Sequence, residues 1–202
     1  MQKIINTNDL AFLLYELLDV ERFTRYSRYA DHSRDTFDAA IELALKVGAE
    51  TFAPHNHLCD GDEPRFENGK VVMRPEVSEA LAVLRDTGLM AAAQDYERGG
   101  MQLPSVIAQT CIGLIKGANV STQAYAGLTI AACNLIMAHG SEEYKRRFAE
   151  PMMEGRFFGT MCLTEPQAGS SLADIKTRAV PAEDGSYRIS GNKIFISAGD
   201  HE

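Results

Sequence analysis

Leu10, Leu13, Leu14, Leu17 and Leu18 recur at helical intervals, which predicts a helix over residues 8–19 with Asn8 as its cap. Phe37, Ile41, Ala44, Leu45, Gly48 and Phe52 repeat the pattern and predict a second helix from Asp35, ended by Pro54. Residues 54–70 are rich in Pro, Gly, Asp and Asn and read as a loop. Pro75 suits a first helical turn, Val77, Leu81 and Leu84 share one face, and Gly88 closes that helix. The Gly99-Gly100 pair implies a tight turn before a helix that runs from Pro104 to Ala118. The next stretch, 121–138, is apolar on nearly every side and is expected to be central and buried, with Gly140 at its end. Ser141 caps a short last helix, whose Glu142 and Glu143 precede Lys145, Arg146 and Arg147 in the order the helix dipole favours.

The pattern changes after Glu154-Gly155-Arg156. Residues 157–164 read as a strand and 165–176 as a loop. Residues 177–180 and 187–190 read as strands joined by a turn at 183–186, and a further extended run covers 193–197. Helices followed by strands predict the α+β class. An all-helical N-terminal domain is expected over 1–156, and the start of an antiparallel β-barrel-like domain over 157–202. Three or so strands form a marginal sheet alone, so a packing partner is expected to lie outside these residues.

Composition narrows the function classes. The 202 residues carry a formal net charge of −8, which argues against a nucleic-acid binder with its basic stripe. Cys59, Cys111, Cys133 and Cys162 show no paired spacing and imply a reducing, cytoplasmic setting. No secretion signal or membrane-spanning run is read. His55, His57 and Cys59 place donors at alternate positions, but further ligands are not evident and no metal is expected. The acidic run at Asp60, Asp62 and Glu63 lacks a calcium-loop pattern and reads as a solvated turn. His139 reads as part of a helix end.

The segment Met161-Cys-Leu-Thr-Glu-Pro-Gln-Ala-Gly-Ser170 carries the strongest chemistry. A strand edge leads through the Thr164 hydroxyl to Ala168-Gly169-Ser170, where backbone can approach a ligand closely. This segment resembles the Leu-Thr-Glu-Pro-x-Ala-Gly-Ser signature of the acyl-CoA dehydrogenase family. The resemblance continues through Asp174-Ile-Lys-Thr-Arg-Ala179 and Asp184-Gly-Ser-Tyr-Arg-Ile-Ser-Gly-Asn-Lys193. Upstream, Gly140-Ser-Glu-Glu-Tyr-Lys145 and Glu97-Arg-Gly-Gly100 are similar to further family motifs. It covers residues 75–202 with ordered motifs and 1–74 by helical character only.

The resemblance implies a helical N-terminal domain, a middle β-domain and a helical C-terminal domain, with FAD between the last two. Met161, Leu163 and Thr164 would line the flavin, Gly169 and Ser170 would approach FAD, and Ser170 would also lie near the acyl-CoA. Phe195, Ile196 and Ser197 would contact the isoalloxazine ring, Phe195 where the family usually has Trp and Ser197 where it has Thr. Ser171 and Ala198 depart from the usual Asp and Asn. The longer-chain bacterial branch is suggested by the ending Ile-Ser-Ala-Gly-Asp-His-Glu.

The implied reaction is α,β-dehydrogenation of an acyl-CoA, with hydride passing to flavin N5 and electrons to an electron-transfer flavoprotein. A homodimer or homotetramer is implied. The family's base is a glutamate of the C-terminal domain, expected beyond residue 202, so no catalytic residue is assigned here. Glu165 is rejected for that role because it belongs to the turn before Pro166. These residues alone are therefore expected to bind FAD weakly or not at all and to oxidise no acyl-CoA. The alternatives are a family-fold flavoprotein with a binding or damage-response role, and an acyl-CoA oxidase.

Overall fold

Ser33 caps a helix that starts at Arg34. Its side chain accepts from the Thr36 amide while the Thr36 hydroxyl accepts from the Ser33 amide, closing a capping box. The computed structural model describes residues 4–200. Helix α1 (Thr7–Ala11) is capped by Asn6, not Asn8; the Asn6 side chain accepts from the Asn8 amide. It widens into a π-helical turn over Phe12–Leu17, so the leucine repeat forms one bent helical element. Helix α2 (Arg34–Val47) buries Phe37, Ile41, Ala44 and Val47 on one face.

Pro54 does not end that helical run. A π turn (Gly48–Phe52) and a 3-10 turn (Ala53–His55) carry the chain into α3 (Asn56–Gly61). Pro54 is tolerated because it enters the first turn of the 3-10 segment, where an amide donor is not needed. The expected loop over 54–70 is thus part helix and part hairpin. Strand β1 (Arg65–Glu67) pairs antiparallel with β2 (Lys70–Val72) around Asn68-Gly69, both at positive φ.

Helix α4 (Pro75–Asp86) begins with Pro75 in its first turn and buries Val77, Leu81 and Leu84. Gly88 follows its end at φ 74°, the left-handed conformation expected there. At Gly100 the backbone passes so close to Gln94 that a Cβ would sit 2.1 Å from the Gln94 carbonyl oxygen. Helix α5 (Ser105–Ala118) and helix α6 (Val120–His139) are joined through Asn119, which caps α6 by accepting from the Thr122 amide. After Gly140, Ser141 caps α7 (Glu142–Tyr144), which runs through a π turn into α8 (Glu150–Met153).

The main core lies where α2 packs on α5, with α4 and α6 alongside. Phe37, Phe52, Leu84, Ile107 and Ile115 are wholly buried there. Each contributes about 1.5–3 kcal/mol by leaving water. Helix α6 departs from expectation. Its buried stripe is Thr122, Gln123, Ala126, Thr129 and Cys133, whereas Leu135 is 61% exposed. The helix is central in sequence but only partly covered: the chain crosses it at Gly159, beside Thr129 and Ala132, while Val120 and Leu135 stay exposed.

Beyond residue 156, β3 (Arg178–Pro181) pairs antiparallel with β4 (Tyr187–Ser190), Arg178 opposite Ser190. The expected strands over 157–164 and 193–197 are extended chain and not regular strands. Backbone bonding between them is confined to the Ile194 amide on the Thr164 carbonyl, at 3.0 Å. Phe195 and Ala198 take φ of 56° and 54°, which breaks an extended run.

Candidate functional site

Two segments of irregular chain meet beside α6. The Gly159 amide donates to the Thr129 hydroxyl at 3.0 Å, and a Cβ at Gly159 would meet that of Ala132 at 2.8 Å. Glycine is therefore needed for the chain to cross α6 this closely. The Thr160 hydroxyl then donates to the Ser197 carbonyl, and the Thr164 carbonyl accepts from the Ile194 amide. Residues 160–165 and 193–197 consequently lie side by side, with Met161, Leu163 and Thr164 on one and Phe195, Ile196 and Ser197 on the other.

Glu165 locks this arrangement. Its carboxylate accepts from the Thr177 amide at 2.9 Å, the Lys176 amide at 2.8 Å, Gln167 Nε2 at 2.6 Å and Lys193 Nζ at 2.9 Å. Donors from Thr177, Lys193 and Lys176 hold its carboxyl well below the usual carboxylate range. A carboxylate this fully engaged, with 2% of its side chain exposed, is a poor proton acceptor. Lys193 Nζ also donates to the Leu163 carbonyl at 2.8 Å. Lys193 closes the sequence motif that starts at Asp184, and its place opposite Glu165 depends on contacts distant in sequence.

The apolar members of the pair of segments are open. Met161 is 55% exposed, Leu163 40% and Phe195 87%. Gly169 and Ser170 are exposed in the loop that follows, and nothing lies within 4 Å of where a Gly169 Cβ would be. This loop is folded back by mutual backbone bonds between Glu165 and Ala168.

An open groove of about 520 Å³ runs between α5 and α6 and includes Ser197 in its lining. Ile112, Val120, Leu128 and Ala131 make it largely apolar, and Gln123 and Lys116 add polar groups. The sequence reading missed this feature because it assigned the whole of α6 to the interior. The signal was Gln123 and Gly127, a polar residue and a side-chain gap one turn apart in an otherwise apolar helix.

Among the described residues, no group of three His, Cys, Asp or Glu side chains could hold a metal ion. His55 is buried and engaged at both ring nitrogens, with the Thr51 carbonyl at 3.0 Å and the Thr122 hydroxyl at 2.8 Å. Also among the described residues, no helix is long and apolar enough to cross a membrane.

Residues 40–156 match the family model described as the acyl-CoA dehydrogenase N-terminal domain, and residues 160–202 match that of the acyl-CoA dehydrogenase middle domain. The 3-methylmercaptopropionyl-CoA dehydrogenase of Ruegeria pomeroyi is 34% identical over 194 residues, covering 96% of this chain and 33% of that protein. The structure of butyryl-CoA dehydrogenase from Megasphaera elsdenii superposes with a TM-score of 0.67 at 25% identity, over 83% of this chain and 42% of that one. An acyl-CoA dehydrogenase from Bacillus anthracis, solved in complex with FAD, shares the fold with a TM-score of 0.65 at 21% identity, over 83% of this chain and 27% of that one. The chain spans about a third of the length of the curated relatives it matches.

Proposed function

Because the chain belongs to the acyl-CoA dehydrogenase family, we propose that it supplies one wall of a flavin site and the acyl groove of an enzyme that dehydrogenates acyl-CoA thioesters. The observation that carries this reading is the joining of segments 160–165 and 193–197 at the groove that Ser197 lines. In it the helical part over 1–156 provides the groove and the part over 157–202 the flavin-facing surface.

The exposed side chains suit a flat, largely apolar group with polar edges. Met161, Leu163 and Phe195 offer apolar surface, the Ser197 hydroxyl a polar edge, and the open Gly169-Ser170 backbone free donors for an anion. FAD bound there supplies the two-electron acceptor for the hydride that leaves the β carbon. Thr164 and Ile196 hold backbone against it, and Ser170 also orients the acyl-CoA. The tail of the thioester lies in the groove from Ser197 inward, where Leu128 and Ala131 exclude water. Glu165 positions the wall and takes no proton; the α proton goes to a carboxylate outside these 202 residues.

An electron-transfer flavoprotein is the proposed acceptor, and a homodimer or homotetramer the proposed assembly. Four free cysteines support a reducing, cytoplasmic setting. Burial pushes the Cys111 thiol up to about 12 and the Cys133 thiol up to about 11, so neither is reactive. Protein expressed from its complete gene should copurify with FAD and reduce a dye acceptor when given straight-chain acyl-CoAs. Flavin-free protein with no such turnover contradicts the proposal.

A further inference from the structure

Gln123 is 2% exposed and lines the groove, yet its Nε2 has no hydrogen-bond partner. No other described residue bonds its side-chain oxygen either. A buried amide left this way bears the desolvation cost of its polar atoms without compensation. Gly127, one helical turn on, is what gives it room. A Cβ at Gly127 would stand 3.0 Å from Nε2 and 3.3 Å from Oε1.

Lys116, near the end of α5, lines the same groove; it precedes the α5–α6 connection at Asn119, and Val120 and Gln123 follow it. It is exposed and has no ion-pair or hydrogen-bond partner among the described residues. The other end is polar for a different reason. Asn134 there already accepts from Gln94 at 2.6 Å, and Ser197 marks the entry of the 160–197 wall. From Ala131 to Gln123 is about 12 Å along the axis of α6, at ~1.5 Å per residue. A tail whose reacting carbons lie at Ser197 thus passes the apolar middle before it meets Gln123 and Lys116.

We propose, on the footing of the acyl-CoA reading above, that the groove selects an acyl tail ending in a hydrogen-bond-accepting oxygen, held by the Gln123 amide and the Lys116 ammonium. Lysine can only donate, so the group held between it and Gln123 must be an acceptor, which the Gln123 NH₂ also serves. A hydrocarbon end would leave the amide unpaired. An oxygen satisfies it, and the half-exposed mouth beside Lys116 lets the oxygen stay partly hydrated.

The test uses holoenzyme expressed from the complete gene, assayed with straight-chain acyl-CoAs from hexanoyl to decanoyl and with their omega-hydroxy counterparts. At the best-fitting length, kcat/KM should favour the hydroxy thioester by roughly threefold to tenfold, the effect of one net hydrogen bond. Gln123→Leu should abolish that preference, and Lys116→Met, at an exposed position, should shrink it. If Gln123→Leu does not fold, the wild-type ratio and the Lys116 variant decide. Equal kcat/KM for both series at every length overturns this inference and leaves the dehydrogenase reading standing. Oxidation of neither series overturns that reading, and this inference with it.

Discussion

Lys193 Nζ lies 2.9 Å from Glu165 Oε1 and 2.8 Å from the Leu163 carbonyl oxygen, so one side chain ties together the two segments that form the proposed flavin wall. Glu165 in turn receives the Lys176 and Thr177 amides, which anchors the loop that follows. The carboxyl is ordinarily half-protonated near 4.5 and is held well below that here. A depressed folded value means its stabilisation is full above the ordinary value and is lost as the pH falls below it. Amide exchange at Lys176 and Thr177 should accelerate as the pH drops below about 4.5, after correction for intrinsic rates. Glu165→Gln should exchange fast at neutral pH and show a flatter profile. A profile identical to wild type rules out this role.

Gly191 sits against the start of β3. A Cβ there would lie 2.0 Å from the Thr177 hydroxyl oxygen and 2.8 Å from its Cα, so rotating a side chain cannot relieve the contact. Gly191→Ala should cost about 1–3 kcal/mol, as overpacking does, in chemical denaturation followed at the β3–β4 hairpin. A cost near zero means that the hairpin shifts freely.

Thr122 and His55 form a buried pair across 2.8 Å, with His55 Nδ1 3.0 Å from the Thr51 carbonyl. The carbonyl can only accept, so Nδ1 carries a hydrogen, and in the neutral ring Nε2 accepts from the Thr122 hydroxyl. Thr122→Val leaves Nε2 without a donor and should destabilise by about 1–3 kcal/mol. Imidazole nitrogen shifts in the wild-type protein should report the Nδ1–H tautomer.

Phe37 and Ser33 separate packing from capping on one helix. Phe37 is wholly buried, and Phe37→Ala should cost about 3–5 kcal/mol. Ser33→Ala removes the acceptor for the Thr36 amide and should cost only about 1 kcal/mol. Urea denaturation of the two variants gives the order; similar losses would mean the core relaxes around Phe37.

The helices of the first 156 residues were legible because Val77, Leu81, Leu84 and their counterparts keep helical spacing. Pro54 misled as a stop signal, since a first-turn proline loses no needed amide. The β1–β2 hairpin had its own signal in Asn68-Gly69, hidden by a polar stretch too short to show alternation. Helix α6 reads as interior where apolarity is equated with burial, whereas its buried residues include polar Thr122, Gln123 and Thr129 while Leu135 is exposed. The wall residues 161–170 and 195–197 were named from motif order. What could not be read is the tie through Lys193 and Glu165 and the crossing at Gly159, both of which arise from residues about 30 positions apart meeting in space.

The most direct test is anaerobic titration of the holoenzyme with an acyl-CoA, followed by visible absorbance. A protein-bound flavin band should bleach as thioester is added, and a Phe195→Ala, Ser197→Ala double variant should hold flavin more weakly. A protein without flavin, or a flavin band that no acyl-CoA bleaches, contradicts the proposed function.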